Sequence, residues 1–100
     1  MIEQTLLDAY AAAITANYYA ENPEAKDKEY MKYSISFEEG KKYIRVVKST
    51  IGSQRSVHSF IEIETGDVWK AASWKVPAKN KPRGNIANLT PRITSWTSAS

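Results

Sequence analysis

Residues 57 to 83 read V-H-S-F-I-E-I-E-T-G-D-V-W-K-A-A-S-W-K-V-P-A-K-N-K-P-R, and they carry the clearest fold signal and the clearest binding signal of the chain. The stretch begins as a predicted strand, turns at Thr65-Gly66-Asp67 and returns as a second strand. From Ser73 onward, Pro77 and Pro82 exclude a long helix or a central strand. The stretch therefore predicts a β-hairpin that runs into an irregular, basic arm.

Four segments alternate between apolar and polar side chains as half-buried strands do, at residues 30–37, 42–49, 55–64 and 67–72. Short turns at 38–41, 51–54 and 65–67 join them, and a positive φ is expected at Gly40 in the first turn. Sequential strands joined by short turns form an antiparallel meander.

The strand register follows from keeping the apolar side chains on one face, because a slip of one residue would turn them to the other. The predicted pairs are Tyr33–Val46, Ile35–Ile44, Glu62–Trp69 and Ile63–Val68. The resulting core face carries Met31, Tyr33, Ile35, Phe37, Ile44, Val46, Val57, Ile61, Ile63 and Val68. The outer face carries Tyr43, Arg45, Val47, His58, Phe60, Trp69 and Ala71, and it is too apolar and aromatic to stand bare.

Residues 3–20 are predicted to form a helix that covers the core face. Apolar side chains recur there at three- and four-residue spacing, namely Leu7, Tyr10, Ala11, Ile14 and Tyr18. Asn22-Pro23 ends the helix, because the residue before a proline avoids helical backbone angles. We expect one α+β domain over residues 1–100, with the helix at 3–20, a four-stranded antiparallel sheet at 30–72, a basic C-terminal arm at 73–96 and a loose end at 97–100.

Charge is distributed unevenly along the chain. Residues 1–29 carry six acids and two bases, whereas residues 30–100 carry twelve bases and five acids. Between Val68 and Arg92 there are six bases and no acid. Such a stretch is typical of contact with nucleic acid or another polyanion. The alternative is that the acidic helix and the basic arm complement each other within one fold.

Several classes of protein are disfavoured by composition. The chain has no cysteine, which excludes disulfides and thiolate metal sites and favours the cytosol. No apolar run approaches the roughly 18 residues that a membrane span needs. The acidic start M-I-E-Q-T-L-L-D is not typical of a secretory signal. We therefore expect a cytoplasmic protein that does not contact a membrane.

Signals for catalysis are weak. His58 is the single histidine, and a strand histidine beside aromatic residues is more often packed than catalytic. Glu62, Glu64 and Asp67 lie near the third turn with Lys70, a set that could hold Mg²⁺ in a nuclease, but the spacing does not fit such motifs. No zinc-ligand spacing or nucleotide fingerprint is present. We expect no catalytic residue, no metal, no cofactor and no enzymatic activity.

The outer face and the arm carry the side chains that a surface for single-stranded nucleic acid needs. Flat rings stack on bases, and cations follow the phosphates. The candidate residues are Tyr43, Arg45, Trp69, Lys70, Trp74, Lys75, Lys79, Lys81 and Arg83. In one alternative, the arm folds over this face, with Ile86, Leu89 and Trp96 packing on Phe60 and Trp69. In another, the face is the interface of a symmetric homodimer.

The segment F-I-E-I-E-T-G-D-V-W-K-A-A-S-W-K-V-P-A-K, from Phe60 to Lys79, with R-G-N-I at Arg83 to Ile86, resembles small uncharacterised proteins of bacteriophages and environmental viral genomes. They share a T-G-D-V-x-K-x-A-S-W-K-x-P-A-K pattern after a basic strand like K-K-Y-I-R-V-V-K. The match covers roughly residues 41 to 86. The resemblance implies a viral origin, and with it the host cytoplasm, but no activity.

The leading hypothesis is therefore a phage accessory protein that binds single-stranded nucleic acid. The second is a protein-interaction module, either a homo-oligomer or a binder of a host factor. A small metal-dependent nuclease is the third.

Overall fold

The computed structural model describes residues 2–51 and 55–99, and it shows a helix packed on an open, five-stranded antiparallel sheet. Helix α1 spans Gln4–Glu21 and leads through two 3-10 turns, Pro23–Asp27 and Glu29–Met31, to the sheet. The strands are β1 (Tyr33–Glu39), β2 (Tyr43–Thr50), β3 (Ser56–Glu62), β4 (Asp67–Lys70) and β5 (Gly84–Asn85), and a short helix α2 (Pro91–Thr94) follows. Their order in the sheet is the order in the chain, so the α+β class and the antiparallel meander are confirmed.

The predicted count of four strands is wrong, because part of the arm returns to the sheet as β5. Val68 lies opposite Gly84, and Asp67 lies opposite Asn85. A side chain at position 84 would be crowded, since a Cβ there would lie 2.9 Å from Cγ2 of Ile93. A two-residue strand has no alternation to detect, which is why the arm was expected to be irregular throughout.

The first hairpin keeps the predicted faces but not the predicted register. The observed pairs are Tyr33–Thr50, Ile35–Lys48 and Phe37–Val46, in place of Tyr33–Val46 and Ile35–Ile44. The turn lies further along the chain than expected, since the amide of Gly40 donates to the carbonyl of Tyr43 at 2.9 Å. The shift is even, so the apolar side chains still share one face.

The hairpin of β3 and β4 is also shifted by an even number of residues, but in the opposite direction. The observed pairs are Phe60–Trp69 and Ile61–Val68, in place of Glu62–Trp69 and Ile63–Val68. The turn is wider than predicted, because the amide of Gly66 donates to the carbonyl of Glu62 at 2.8 Å. Gly66 has a φ of 79°, and it is the one described residue with a positive φ, so the expectation of one at Gly40 is wrong. Of the turn predicted at 51–54, residues 52–54 lie outside the described residues.

A bulge in β3 reverses the side-chain alternation at the start of that strand. Val46 pairs with Ser59, but Val47 pairs with Val57, which leaves His58 as an extra residue. One extra residue moves every earlier side chain of the strand to the opposite face. Val57, expected in the core, therefore lies on the outer side, and His58, expected outside, lies on the side of α1.

The main core lies between α1 and the sheet. The helix buries Leu7, Tyr10, Ile14 and Tyr18, as the spacing predicts, and it ends at Glu21 before Asn22-Pro23. Ile61 and Val68 are fully buried on the facing side of the sheet. Removing such side chains from water stabilises the fold by about 1.5–3 kcal/mol each.

The segment after β5 closes this core. Ile86, Leu89 and Trp96 pack on the α1 side, so the alternative in which they cover Phe60 and Trp69 is wrong. Ile93 of α2 is fully buried in the same cluster. The spacing of Ile86, Leu89 and Trp96 is visible in the sequence, but the face of the sheet on which they pack is not.

Main-chain carbonyls of the C-terminal segment accept hydrogen bonds from side chains of four elements. Tyr10 donates to Ile93 at 3.0 Å, His58 to Ser95 at 2.7 Å and Tyr33 to Trp96 at 2.9 Å. Lys48 donates to Thr97. Ala99 is buried, so the expected loose end is wrong for residues 97–99, while residue 100 lies outside the described residues.

Among the described residues, no helix combines the length and the apolar character needed to cross a membrane.

Candidate nucleic-acid interface

The arm is ordered where it leaves β4. Ala71 pairs with Pro77 in an isolated bridge, and the amides of Ala72 and Ser73 donate to the carbonyl of Val76 at 3.0 and 3.2 Å. These bonds close a small loop with Trp74 near its tip. The loop folds back over the outer face of the sheet, as the first alternative predicted, although with other side chains.

Trp74 is held on the outer face by two arginines. The Nε of Arg45 donates to the carbonyl of Trp74 at 2.8 Å, and its Cζ lies 4.7 Å from the centroid of the indole ring. The Cζ of Arg55 lies 5.5 Å from the same ring. A cation this close to an aromatic face is attracted by the ring quadrupole. Trp74 as a whole residue nevertheless remains 37% exposed.

Glu38 links the two arginines. Its Oε1 accepts a hydrogen bond from Nη1 of Arg45 at 2.7 Å, and its Oε2 accepts one from Nη2 of Arg55. The hydrogen bond from Arg55 has the largest effect on the pKa of the Glu38 carboxyl and the bond from Arg45 the next largest, and both lower this pKa below its ordinary value. One carboxylate thus offsets part of the charge of both guanidinium groups, which position Trp74.

The aromatic row in the middle of the sheet is largely covered. Phe60 is only 3% exposed, and its ring meets Tyr43 edge-on at 6.2 Å. Trp69, opposite Phe60, is half-buried and donates its indole N–H to Oε1 of Glu62 at 3.2 Å. Phe60 is therefore a buried ring, as the packing alternative predicted, although Ile86, Leu89 and Trp96 are not the residues that cover it.

A cationic pocket of about 240 Å³ lies at the end of the outer face beside the first turn. Its lining has four cations and two rings, namely Lys41, Lys42, Arg45, Lys75, Tyr43 and Phe60, with Glu38, Glu39 and Gly40 completing it. The Nζ atoms of Lys42 and Lys79 lie 5.6 and 5.4 Å from the centroid of Tyr43. The pocket therefore combines positive charge with a half-buried aromatic ring.

Five of the nine predicted residues are brought together here: Tyr43, Arg45, Trp74, Lys75 and Lys79. Trp69 lies beside them but is engaged with Glu62. Lys70 pairs with Ser59 in the sheet, which places it on the α1 side. Lys81 and Arg83 lie on the path to β5, where Arg83 donates to the carbonyl of Lys81, and they line no part of the pocket.

Lys41 and Lys42 belong to the site and are absent from the predicted set. Their contribution depends on the position of the first turn, which lies at Lys41-Lys42 and not at Glu39-Gly40. The signal in the sequence that could have identified them is their position as two adjacent lysines directly before Tyr43, a tyrosine predicted on the outer face.

The acids near the third turn do not form a metal site. Glu62 binds Trp69, and Oδ1 of Asp67 accepts a hydrogen bond from Nδ2 of Asn85 at 3.1 Å. Within residues 2–51 and 55–99, no group of three or more histidine or acidic side chains is arranged to hold a metal ion.

His58 is a packed histidine. Its side chain is fully buried, and burial lowers the pKa of its imidazole to about 4. Nε2 lies 2.7 Å from the carbonyl of Ser95, which only accepts, so Nε2 carries the proton. Nδ1 lies 2.9 Å from Oγ of Ser59 and accepts from it.

The chain belongs to a family of unknown function, DUF7717, whose family model matches residues 2–99. No curated protein and no solved structure matches the chain. The family brings no activity to the chain.

Proposed function

We propose that this protein binds single-stranded nucleic acid, without catalysing a reaction, through an outer basic surface made of Lys41, Lys42, Tyr43, Trp74, Lys75 and Lys79. The observation that carries the proposal is the pocket of about 240 Å³, where cations surround an aromatic ring next to the partly exposed Trp74. Other polyanions would pair with the lysines, but they have no bases to stack on the aromatic rings.

The lysines are the groups that would meet phosphates. In the described part of the chain, both ion pairs involve Glu38, and their cations are Arg45 and Arg55. The lysines of the surface have no such partner there. A lysine that neutralises a phosphate releases a condensed counterion, so binding through these side chains must weaken as salt rises.

The two rings would meet bases. Trp74 is 37% exposed, and Tyr43 is half-buried beside two lysines. Stacking of a base on an aromatic side chain is worth about 1–3 kcal/mol and tolerates any sequence. The surface therefore favours binding to flexible single strands with little sequence preference.

The test is fluorescence anisotropy of a labelled oligothymidylate in a series of salt concentrations. Four lysine contacts predict that log K falls against log salt with a slope of about −2.8, or roughly 50-fold weaker binding between 50 and 200 mM. Absence of binding, or binding that does not change with salt, would contradict the proposal.

A charge-matched control separates the site from overall charge. We expect the double variant Lys75→Ala/Lys79→Ala to lower the magnitude of the slope by about 1.4. Lys26→Ala/Lys28→Ala removes the same charge from the exposed linker after α1 and is expected to leave the slope nearly unchanged. An equal decrease of the slope in both variants would show that net charge alone, and not this surface, determines the salt dependence.

A protein-interaction module is the second candidate, and the open edge of the sheet at β1 favours it. The viral origin implied by the segment from Phe60 to Lys79, and action in the host cytoplasm, stay part of the proposal. Under either candidate, the absence of enzymatic activity is a prediction.

A further inference from the structure

The sheet ends in an open edge at β1. In the described part of the chain no strand lies beyond β1, which spans seven residues, Y-S-I-S-F-E-E. The strand contains no lysine or proline, and its pairing with β2 has no bulge. Natural proteins normally place a lysine, a proline or a bulge in an exposed edge strand to keep it from pairing. β5, at the other edge, is only two residues long.

The direction of the main-chain groups of β1 follows from two hydrogen bonds. The amide of Gly40 donates to Tyr43 of β2, so the even-numbered residues of this strand direct their groups towards β2. The amide of Tyr33 donates instead to Oη of Tyr19 at 3.1 Å, outside the sheet. The main-chain groups of Ile35 and Phe37 therefore point away from the sheet at its edge.

We infer that β1 pairs antiparallel with β1 of a second copy of this chain, about a two-fold axis at Ser36. A hydrogen-bonded pair needs outward-pointing groups on both strands, so odd-numbered residues must face odd-numbered ones. Ile35 of each copy then lies opposite Phe37 of the other and exchanges both main-chain hydrogen bonds with it. Ser36 faces Ser36, and the two sheets become one.

Side-chain chemistry selects this register over its neighbours. Ser34 of one copy faces Glu38 of the other, so no like charges are directly opposed. A shift towards the C-terminal end of β1 would bring the two Glu38 carboxylates into diagonal contact. A shift the other way, to an axis at Ile35, would set Tyr33 opposite Phe37 and leave Ile35–Ile35 as the single hydrogen-bonded pair that does not use the amide of Tyr33, which already donates to Tyr19. The inferred register keeps two such pairs, and it places Tyr33, opposite Glu39, only at the ends of the ladder.

The inferred pairing also buries apolar surface. Ile35 and Phe37 are only partly buried at the edge of the core on the α1 side. Ile35 of each copy would pack on Phe37 of the other copy. Both α1 helices would lie on the same side of the joined sheet, and the exposed positions of α1 include small side chains that permit close approach, namely Ala9, Ala12, Ala16 and Ala20.

Disulfide trapping tests the axis at Ser36. The chain has no cysteine, so Ser36→Cys introduces a single thiol. Residues at the axis form a non-hydrogen-bonded pair with Cα atoms about 4.5 Å apart, within the roughly 4.4–6.8 Å range of disulfides. Ser34→Cys is the matched control, because it is exposed on the same face of the same strand but lies opposite Glu38 of the second copy.

We expect Ser36→Cys to form a covalent dimer on mild oxidation at least about tenfold faster than Ser34→Cys. Equal rates for the two variants would overturn the inference.

Light scattering of the unmodified chain should show a dimer at high concentration, and a strict monomer would also overturn it. Ser36→Lys opposes two lysines at the axis and should give a monomer with an unchanged circular dichroism spectrum; a retained dimer would count against this register. None of these outcomes depends on nucleic-acid binding.

Discussion

The two faces of the sheet use aromatic side chains in opposite ways. On the α1 side, Tyr18 and Tyr33 stack with centroids 4.4 Å apart, and the hydroxyls of Tyr10 and Tyr33 donate to carbonyls of the C-terminal segment. On the outer side, the rings of Tyr43 and Trp74 lie beside cations and remain partly exposed. The first arrangement stabilises a fold, and the second leaves rings and charges available to a ligand.

The contrast extends to polar atoms. Among the described residues, every buried side-chain nitrogen and oxygen has a hydrogen-bond partner. Burial raises the pKa of the Tyr10 and Tyr33 hydroxyls, so they remain neutral donors. The lysines of the outer basic surface are exposed, and the Nζ atoms of Lys42 and Lys79 lie near the ring of Tyr43. Variants on the two faces should therefore have separable effects on stability and on binding.

The largest effect is expected from a cavity on the α1 side. Ile61→Ala removes a fully buried side chain that packs against α1 and should lower the free energy of unfolding by about 3 kcal/mol. Urea unfolding followed by circular dichroism measures it. Oligonucleotide affinity of the folded fraction should not change. A loss of affinity without a loss of stability would reverse the roles of the two faces.

The next effect is a loss of stability in acid that originates at His58. Its pKa is about 4 in the folded protein, below the ordinary value of about 6.5, so the unfolded chain binds the proton more tightly. This contribution to stability is complete above pH 6.5 and is lost as the pH falls towards 4. Between pH 7 and pH 5 the free energy of unfolding should fall by about 2 kcal/mol.

Urea unfolding at several pH values measures that slope. The matched variant is His58→Gln, which keeps an N–H donor for Ser95 but does not titrate. We expect it to be less stable at pH 7 and to lack the decline between pH 7 and pH 5. The same decline in the variant would show that other groups cause it.

A smaller effect, confined to binding, is expected on the outer face. Trp74→Ala removes the ring of a residue that is 37% exposed, so stability should change by less than about 1 kcal/mol. Affinity for oligothymidylate should fall about tenfold if one base stacks on this ring. Trp74→Phe keeps a flat ring and should restore part of the affinity. Unchanged affinity in Trp74→Ala would remove the ring from the proposal.

The smallest effect is expected at Glu38. Glu38→Gln weakens the ion pairs to Arg45 and Arg55, which lie at the surface and contribute little to stability. It also removes a negative charge from the lining of the pocket. We expect an almost unchanged melting temperature and tighter oligonucleotide binding, by less than about threefold. Weaker binding would mean that Glu38 positions Trp74 for the ligand.

Local patterns were sufficient for parts of the fold that depend on a single repeat. The spacing of Leu7, Tyr10, Ile14 and Tyr18 identified α1 and its buried side, because a helix repeats regularly. The faces of the first hairpin were also correct, since an even shift in register preserves them. The register itself was not, because the turn position depends on main-chain bonds at Gly40 that several turns could satisfy.

Other features have no local pattern. The bulge at His58 has no residue signature, yet it reversed the expected faces of Val57 and His58. The C-terminal segment is held by buried side chains such as Ile93 and by hydrogen bonds to its main-chain carbonyls, and neither has a spacing that shows on which face of the sheet it docks. For the candidate site, charge and aromatic content identified the arm, but only the folded chain brings Lys41 and Lys42 beside it.

The most direct test of the contrast between the two faces follows the indole N–H signals of the three tryptophans by ¹H–¹⁵N NMR during titration with oligothymidylate. Trp74 lies on the outer basic surface, whereas Trp96 packs on the α1 side, where its indole donates to Glu21. We predict that the Trp74 signal shifts in proportion to bound oligonucleotide while the Trp96 signal stays in place. A shift of Trp96 with Trp74 unmoved, or no shift of either, would contradict it.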